Sequence, residues 1–238
     1  MHIDAVPTIN DVRSDELVHK TVIVIDVLRA TSCIVTALAH GCDGVIPVET
    51  VSQAVNMHEK DDLLGGGGLC KKISGFDFGN SPLEYAHADL RGKKIILTTT
   101  NGTRAIQKSG RAMHILCGSF LNAHACAKYA LQLQKKIVLV CAGTRDRFSL
   151  EDSLCAGRIV EEMQQLLGEQ PVLNDFALAM YLAYNQISDR LEETLLKCEN
   201  GVKLRKLGFV EDVSFCAQLN RYDTVPVMQD QILRAAQF

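Results

Sequence analysis

Three apolar stretches, residues 22–27, 95–100 and 137–141, each break into a short polar knot carrying an arginine and then resume with helical spacing. The knots are Leu28-Arg29-Ala30-Thr31-Ser32, Asn101-Gly102-Thr103-Arg104 and Ala142-Gly143-Thr144-Arg145. A strand that is nearly all Val and Ile, as at 22–27, has to be covered on both faces, which is the condition of a parallel sheet between helices. Further strands are expected at 45–48 and 114–117, and helices at 31–40, 51–60, 103–109, 121–134 and 149–167. Strand and helix alternating through short connections predict a three-layer α/β/α architecture with a mostly parallel sheet, a mixed sheet being the variant. From Pro171 the pattern turns mainly helical (175–186 and 189–197) before a weak strand at 224–228. The expected unit is 1–238 as one domain; any division into two packed lobes falls near 140–170.

The carboxyl ends of parallel strands are where open α/β sheets place ligands. Helix N-termini there offer free N–H groups, and arginine adds a planar donor fork suited to phosphate, carboxylate or sulfonate. A net charge of −3 argues against nucleic acid, whose binders need a broad basic surface, and favours a focused anion site. No apolar stretch reaches the roughly 18 residues of a membrane span. The start, Met1-His2-Ile3-Asp4-Ala5, has no basic or apolar leader region. Nine scattered cysteines without a C-x-x-C pair read as reduced, mostly buried thiols of a cytoplasmic protein.

Asp26 ends the first apolar strand three residues before Arg29. A carboxylate there is costly to desolvate unless a cation or several N–H groups meet it. A salt bridge to Arg29 or a helix cap would satisfy it, and so would a role as metal ligand or nucleophile. The haloacid-dehalogenase pattern needs an acid at position 28, which is leucine, so that chemistry is not supported.

Thr98-Thr99-Thr100-Asn101-Gly102-Thr103-Arg104 concentrates donors around a glycine that permits close backbone approach; a capped helix start is the plainer account. Glu151 and Asp152 fall in the first turn of the 149–167 helix, where acids complement the dipole. Adjacent helical residues point about 100° apart, so only one of the two is expected to face a site and serve as a Mg²⁺ ligand.

Cys141-x5-Arg147 matches the thiol-phosphatase loop, in which a thiolate attacks phosphorus. The flanking Val140 and Phe148 depart from that pattern, and a buried strand-end cysteine is the plainer reading. Residues 69–81 form either a surface connection or a loop over the ligand, and Ser81-Pro82 looks like a helix cap followed by the first helical residue. Neither G-x-G-x-x-G nor G-x-x-x-x-G-K-[ST] occurs, so nucleotide sites lack their fingerprint.

Several motifs follow one another along nearly the whole chain: Ile25-Asp26-Val27-Leu28-Arg29-Ala30-Thr31, Gly75-Phe76-Asp77-Phe78-Gly79-Asn80-Ser81-Pro82, residues 98–104, and Gly118-Ser119-Phe120-Leu121-Asn122-Ala123. Cys141-Ala142-Gly143, Leu150-Glu151-Asp152, Ala156-Gly157 and Val225-Pro226-Val227 complete the series. Together they resemble the 2-phosphosulfolactate phosphatase (ComB-like) family. The resemblance implies Mg²⁺-dependent hydrolysis of 2-phosphosulfolactate to 3-sulfolactate and phosphate, a step in coenzyme M biosynthesis. Such a substrate carries phosphate, carboxylate and sulfonate, which suits three arginine-bearing junctions. One departure stands out: Gly65-Gly66-Gly67-Gly68 occupies the place of an expected Gly-Gly-Glu-Arg, which bears on substrate identity.

On this basis Asp26, with Glu151 or Asp152, is expected to hold Mg²⁺, while Asp26, Arg29, Arg104 and Arg145 act on the phosphoryl group. Thr31, Asn80, Ser81, Asn101, Gly102, Thr103, Gly143, Thr144 and Arg147 are expected around the anion, and Gly118, Ser119 and Asn122 around the organic portion. No nucleic-acid or membrane partner is expected, and a homodimer is the default assembly. The competing classes are a non-catalytic small-anion binder and a phosphatase of another phosphorylated hydroxy acid.

Overall fold

The computed structural model describes residues 1–68 and 70–237; Leu69, in the segment expected to cover a ligand, lies outside the described residues. Its strands are β1 (His2–Val6), β2 (Thr21–Ile25), β3 (Gly44–Val48), β4 (Leu63–Gly68), β5 (Lys71–Lys72), β6 (Lys94–Thr99), β7 (His114–Gly118), β8 (Ile137–Cys141), β9 (Val172–Leu173), β10 (Pro226–Gln229) and β11 (Ile232–Ala235). The helices are α1 (Ala30–Ala39), α2 (Val51–Met57), α3 (Pro82–Ala86), α4 (Gly102–Lys108), α5 (Ala123–Gln132), α6 (Leu150–Leu167), α7 (Asp175–Ile187), α8 (Leu191–Lys197), α9 (Glu199–Lys206) and α10 (Val210–Cys216). Short 3₁₀ turns link several of them. Among the described residues no helix is long and apolar enough to cross a membrane.

All strands join one sheet in the order β5-β4-β6-β3-β11-β10-β7-β2-β8-β1-β9. It is α/β and mostly parallel, as the alternation predicts, but it is built from two parallel halves. The weak strand expected at 224–228 is half of an antiparallel hairpin, β10–β11, and this hairpin stitches the halves together through β7 and β3. Three antiparallel steps separate β3 from β7, so the halves run in nominally opposite directions. Five strand steps lie between β6 and β2, and at about 20–25° of twist each they rotate one half toward the other. One core consequently takes side chains from both halves, among them Val22, Val24, Val45, Leu97 and Val140, and wraps Ile34 of α1 and Ile106 of α4. Helices α5, α6 and α7 cover the opposite face of the larger half. The three arginine-bearing junctions thus meet across a folded sheet rather than along one straight edge.

β2 has every residue buried, and its Val/Ile run pairs with β7 on one side and β8 on the other. α1 follows and stops where Gly41 adopts φ +86°, the left-handed turn predicted there. The glycine run at 65–68 reads as irregular chain, because glycine is a poor strand former, yet it forms β4 beside β6. A Cβ on Gly66, whose φ is +133°, would stand 1.9 Å from the Thr98 carbonyl oxygen. Close approach to β6, not flexibility, accounts for that residue.

The 75–86 segment folds back on β4: Asp77 accepts the Leu64 N–H at 2.8 Å, and the Tyr85 hydroxyl donates to the Gly79 carbonyl at 2.8 Å. Pro82 opens α3 as expected, but the Ser81 side chain makes no helix-capping bond. All nine cysteines are free thiols, and all but Cys70 are buried.

Candidate active site

Asp26 lies one residue past β2 and is 7% exposed. Its Oδ1 accepts the Ala30 N–H at 3.1 Å, and the Gly102 N–H also bonds the carboxylate. Burial outweighs these donors and, with the neighbouring Glu151 charge adding to it, pushes the carboxyl up to about 6. Gly102 has no alternative here, since a Cβ would stand 2.5 Å from the Ala30 Cβ and 2.7 Å from Asp26 Oδ2. Its bareness brings α4 against the acid. Thr31 fixes the main chain instead of facing a ligand: its hydroxyl donates to the Asp26 carbonyl at 2.9 Å and accepts the Asp26 N–H at 3.0 Å.

Arg29 is a buried cation, and one of its N–H groups donates to the Cys70 carbonyl at 3.4 Å. Its guanidinium lies 4.4 Å over the Phe209 ring and ion-pairs with Asp212, whose other carboxylate oxygen accepts the Ser81 hydroxyl at 2.7 Å. The Ser81 hydroxyl thus supports Asp212 rather than an anion.

The third junction divides its two acids. Asp152 accepts the Val27 N–H at 2.8 Å and the Gly143 N–H at 3.2 Å, clamping the ends of β2 and β8 together. Burial, then the charges of Glu151 and Asp26, hold its carboxyl well above the usual range. Glu151, equally enclosed, accepts the Asn200 amide N–H at 2.6 Å, and that amide also reaches the Thr144 hydroxyl at 2.6 Å. Asn101 receives the Arg145 N–H at 3.4 Å, joining the second junction to the third.

Between these groups lies a cleft of about 600 Å³, including its solvent-open mouth. Asp26, Arg29, Asn80, Asn101, Thr144 and Arg145 line it, together with Leu28, Gly67, Cys70, Thr99, Thr100, Asn200 and Lys203. Asn200, Lys203 and Asp212 were invisible to motif reasoning, because α9 and α10 carry no recognisable pattern. The only signal was a helical stretch rich in polar residues after a parallel sheet.

Other expected site residues are elsewhere. Arg104 turns outward, donating to Asp146 at 2.7 Å and to Asn10 at 2.8 Å. Arg147 is exposed on the turn that bridges back to Thr144 and is not part of the cleft. Thr103 bonds the Thr99 carbonyl at 2.8 Å, and Gly143, at φ +72°, packs against Thr8. Cys141 is fully buried, and its thiol is pushed well above its ordinary value by that burial, the reverse of what a nucleophilic thiolate needs.

Gly118, Ser119 and Asn122, expected on the organic portion, are buried in a capping arrangement. Asn122 donates to the Cys117 carbonyl at 3.2 Å and the Thr224 carbonyl at 3.0 Å, tying the closing hairpin to β7. Asn122→Ala is expected to cost about 1–3 kcal/mol of stability in urea unfolding, because buried groups lose partners, while leaving KM unchanged. A raised KM at unchanged stability would restore the ligand role.

Among the described residues no three His, Cys, Asp or Glu side chains form a metal-holding group. Both Asp152 oxygens accept backbone N–H groups and Asp152 lies off the cleft lining, which makes it first a clamp on the ends of β2 and β8. Asp26 and Glu151 remain, and the buried Asn80 amide oxygen at the cleft has no hydrogen-bond partner. Hard oxygen donors of this number fit an open Mg²⁺ site completed by water and phosphate oxygens, not a closed carboxylate cage.

The sequence model of the family described as 2-phosphosulpholactate phosphatase matches residues 7–231. A protein of Caldanaerobacter subterraneus subsp. tengcongensis named "Probable 2-phosphosulfolactate phosphatase" is 39% identical, covering 100% of this chain and 99% of the relative. A Thermotoga petrophila protein of the same name is 42% identical over 92% of this chain and 93% of its own length. One from Clostridium novyi is 38% identical over 95% and 96%.

Proposed function

The chain belongs to the 2-phosphosulpholactate phosphatase family, which makes it a phosphoric monoester hydrolase, and from that premise we propose that it cleaves 2-phosphosulfolactate to 3-sulfolactate and phosphate with Mg²⁺. The observation that carries this reading is Asp26, an enclosed acid at a strand end, facing a cleft whose rim also bears Arg29, Arg145 and Lys203.

The ester oxygen of the substrate leaves phosphorus and takes a proton to become the sulfolactate hydroxyl, while water supplies the fourth oxygen of inorganic phosphate. Asp26 is the carboxylate at the reacting end. Two backbone N–H groups aim it, and Thr31 locks the chain beneath it. Arg145 and Asn101, linked to each other, bring a cation and an amide to the phosphoryl oxygens. Arg29 orders the wall between Asp26 and α10. Asp26 and Glu151 are the residues that would hold Mg²⁺, and the unpartnered Asn80 amide oxygen is a further hard donor at the cleft. When bound, Mg²⁺ supplies Lewis-acid neutralisation of charge on the transferring group. We propose coenzyme M biosynthesis, which the family resemblance implies, as the setting of this step.

Phosphate release from 2-phosphosulfolactate by the purified protein tests the reading. Turnover is expected with Mg²⁺ and should fall at least about 100-fold in EDTA. Binding of the substrate without release, in the presence of Mg²⁺, would instead identify a non-catalytic anion binder.

A further inference from the structure

The geometry points to Lys203 as a specificity-determining residue that selects substrates carrying a second acidic group besides the phosphoryl group; this rests on the phosphatase assignment above.

Lys203 lines the cleft from α9, half-buried. Among the described residues its ammonium forms no hydrogen bond or ion pair. Three other cations are matched, Arg29 by Asp212, Arg104 by Asp146 and Arg158 by Glu161 and Glu162, whereas Arg145, also on the cleft and without a carboxylate partner among the described residues, is exposed. A half-enclosed ammonium left without an anion in a concave site is poised for one that arrives with the ligand. Complementing the end of the α9 dipole does not require it, since Arg205 and Lys206 occupy the same last turn and are exposed.

The position of that ammonium is set by its helix. Asn200, three residues earlier and on the same face, grips Glu151 and Thr144 at 2.6 Å each. α9 is locked against α8, because Leu204 is buried and a Cβ on Gly201 would stand 1.8 Å from the Leu195 carbonyl oxygen. With Asn200 pinned at the carboxylate end, Lys203 begins about 4.5 Å farther along the helix axis. Asp26 and Lys203 line the same cleft, so a substrate whose phosphoryl group sits at Asp26 can present a second acid to Lys203. A compact, rotatable point charge fits a sulfonate or carboxylate there. The class selected is a phosphorylated hydroxy acid that carries a second strong acid.

Lys203→Met and Lys203→Arg, assayed with 2-phosphosulfolactate and with p-nitrophenyl phosphate, test this role. Lys203→Met should raise KM for 2-phosphosulfolactate about 10- to 100-fold, the loss of one charged contact, with kcat nearly unchanged. KM for the aryl phosphate, which has no second acid, should not move, and Lys203→Arg should restore most of the affinity. Equal changes on both substrates would put Lys203 on the phosphoryl group and overturn the inference, as would no change on either.

Calorimetric titration with 3-sulfolactate separates this inference from the phosphatase assignment. Wild-type binding that Lys203→Met weakens, without turnover of the phosphorylated compound, would defeat the assignment and sustain the role of Lys203. Wild-type turnover with 3-sulfolactate binding unaffected by Lys203→Met would do the reverse. Absence of both binding and turnover would overturn both.

Discussion

Asp26→Asn is expected to lower kcat/KM at least about 1000-fold, the scale on which reacting carboxylates and general bases act. The same substitution should not weaken the fold above pH 6 in EDTA, and the sign of that effect is informative. The folded-state value of about 6 lies above the ordinary 3.8, so the native protein holds this proton more tightly than the unfolded chain does. Stability from this group is present below about pH 4 and is lost as pH rises through 6. Wild type therefore carries a penalty of a few kcal/mol at most at pH 8 that the neutral amide avoids. Thermal unfolding at pH 4.5 and pH 8 in EDTA should show the variant gaining on wild type at the higher pH. A variant equally disadvantaged at both values would contradict the burial argument, and one retaining activity would remove Asp26 from the chemistry.

Asp212→Ala is expected to cost about 3–5 kcal/mol in urea unfolding. Arg29 and Asp212 are 2% and 3% exposed, so removing the carboxylate leaves a buried guanidinium without its counter-charge. The Ser81 hydroxyl loses its acceptor as well. The paired replacement Arg29→Met with Asp212→Leu should recover much of that loss, because the penalty belongs to the orphaned charge rather than to the missing bond. Activity should not return with it, since the cleft wall beside Asp26 has changed. A single-variant loss under about 1 kcal/mol would show that solvent reaches Arg29 more freely than its burial indicates.

What could be read from residues alone, and what could not, divides on locality. The β2–α1 junction was legible because a Val/Ile run, a strand-end acid and a helix sit within a dozen positions. β4 was not, because its glycines serve a close approach to β6 that only tertiary packing creates. Arg104 looked equivalent to Arg145, yet its guanidinium goes to Asp146 on the outside, a choice made by the turn of α4 and not by the motif. Ser119 and Asn122 resemble a ligand loop in sequence because a buried capping box uses the same side chains. Glu151 and Asp152 were expected to divide into one facing a site and one facing away. Both are enclosed, Asp152 bonded to backbone at the ends of β2 and β8 and Glu151 to Asn200 of α9, a partner that no local pattern announces. Asn200, Lys203 and Asp212 arrive from helices about 170–190 positions after Asp26, and nothing local announces them.

The three distant junctions are proposed to form one phosphoryl site at Asp26. Co-crystallisation with tungstate, an electron-dense phosphate analogue, measures this most directly through its anomalous signal. A single strong peak is expected in the cleft, within contact of Asp26, Asn101 and Arg145. A peak at the outer 145–147 turn beside Arg147, with the Asp26 cleft empty of tungstate, would contradict it.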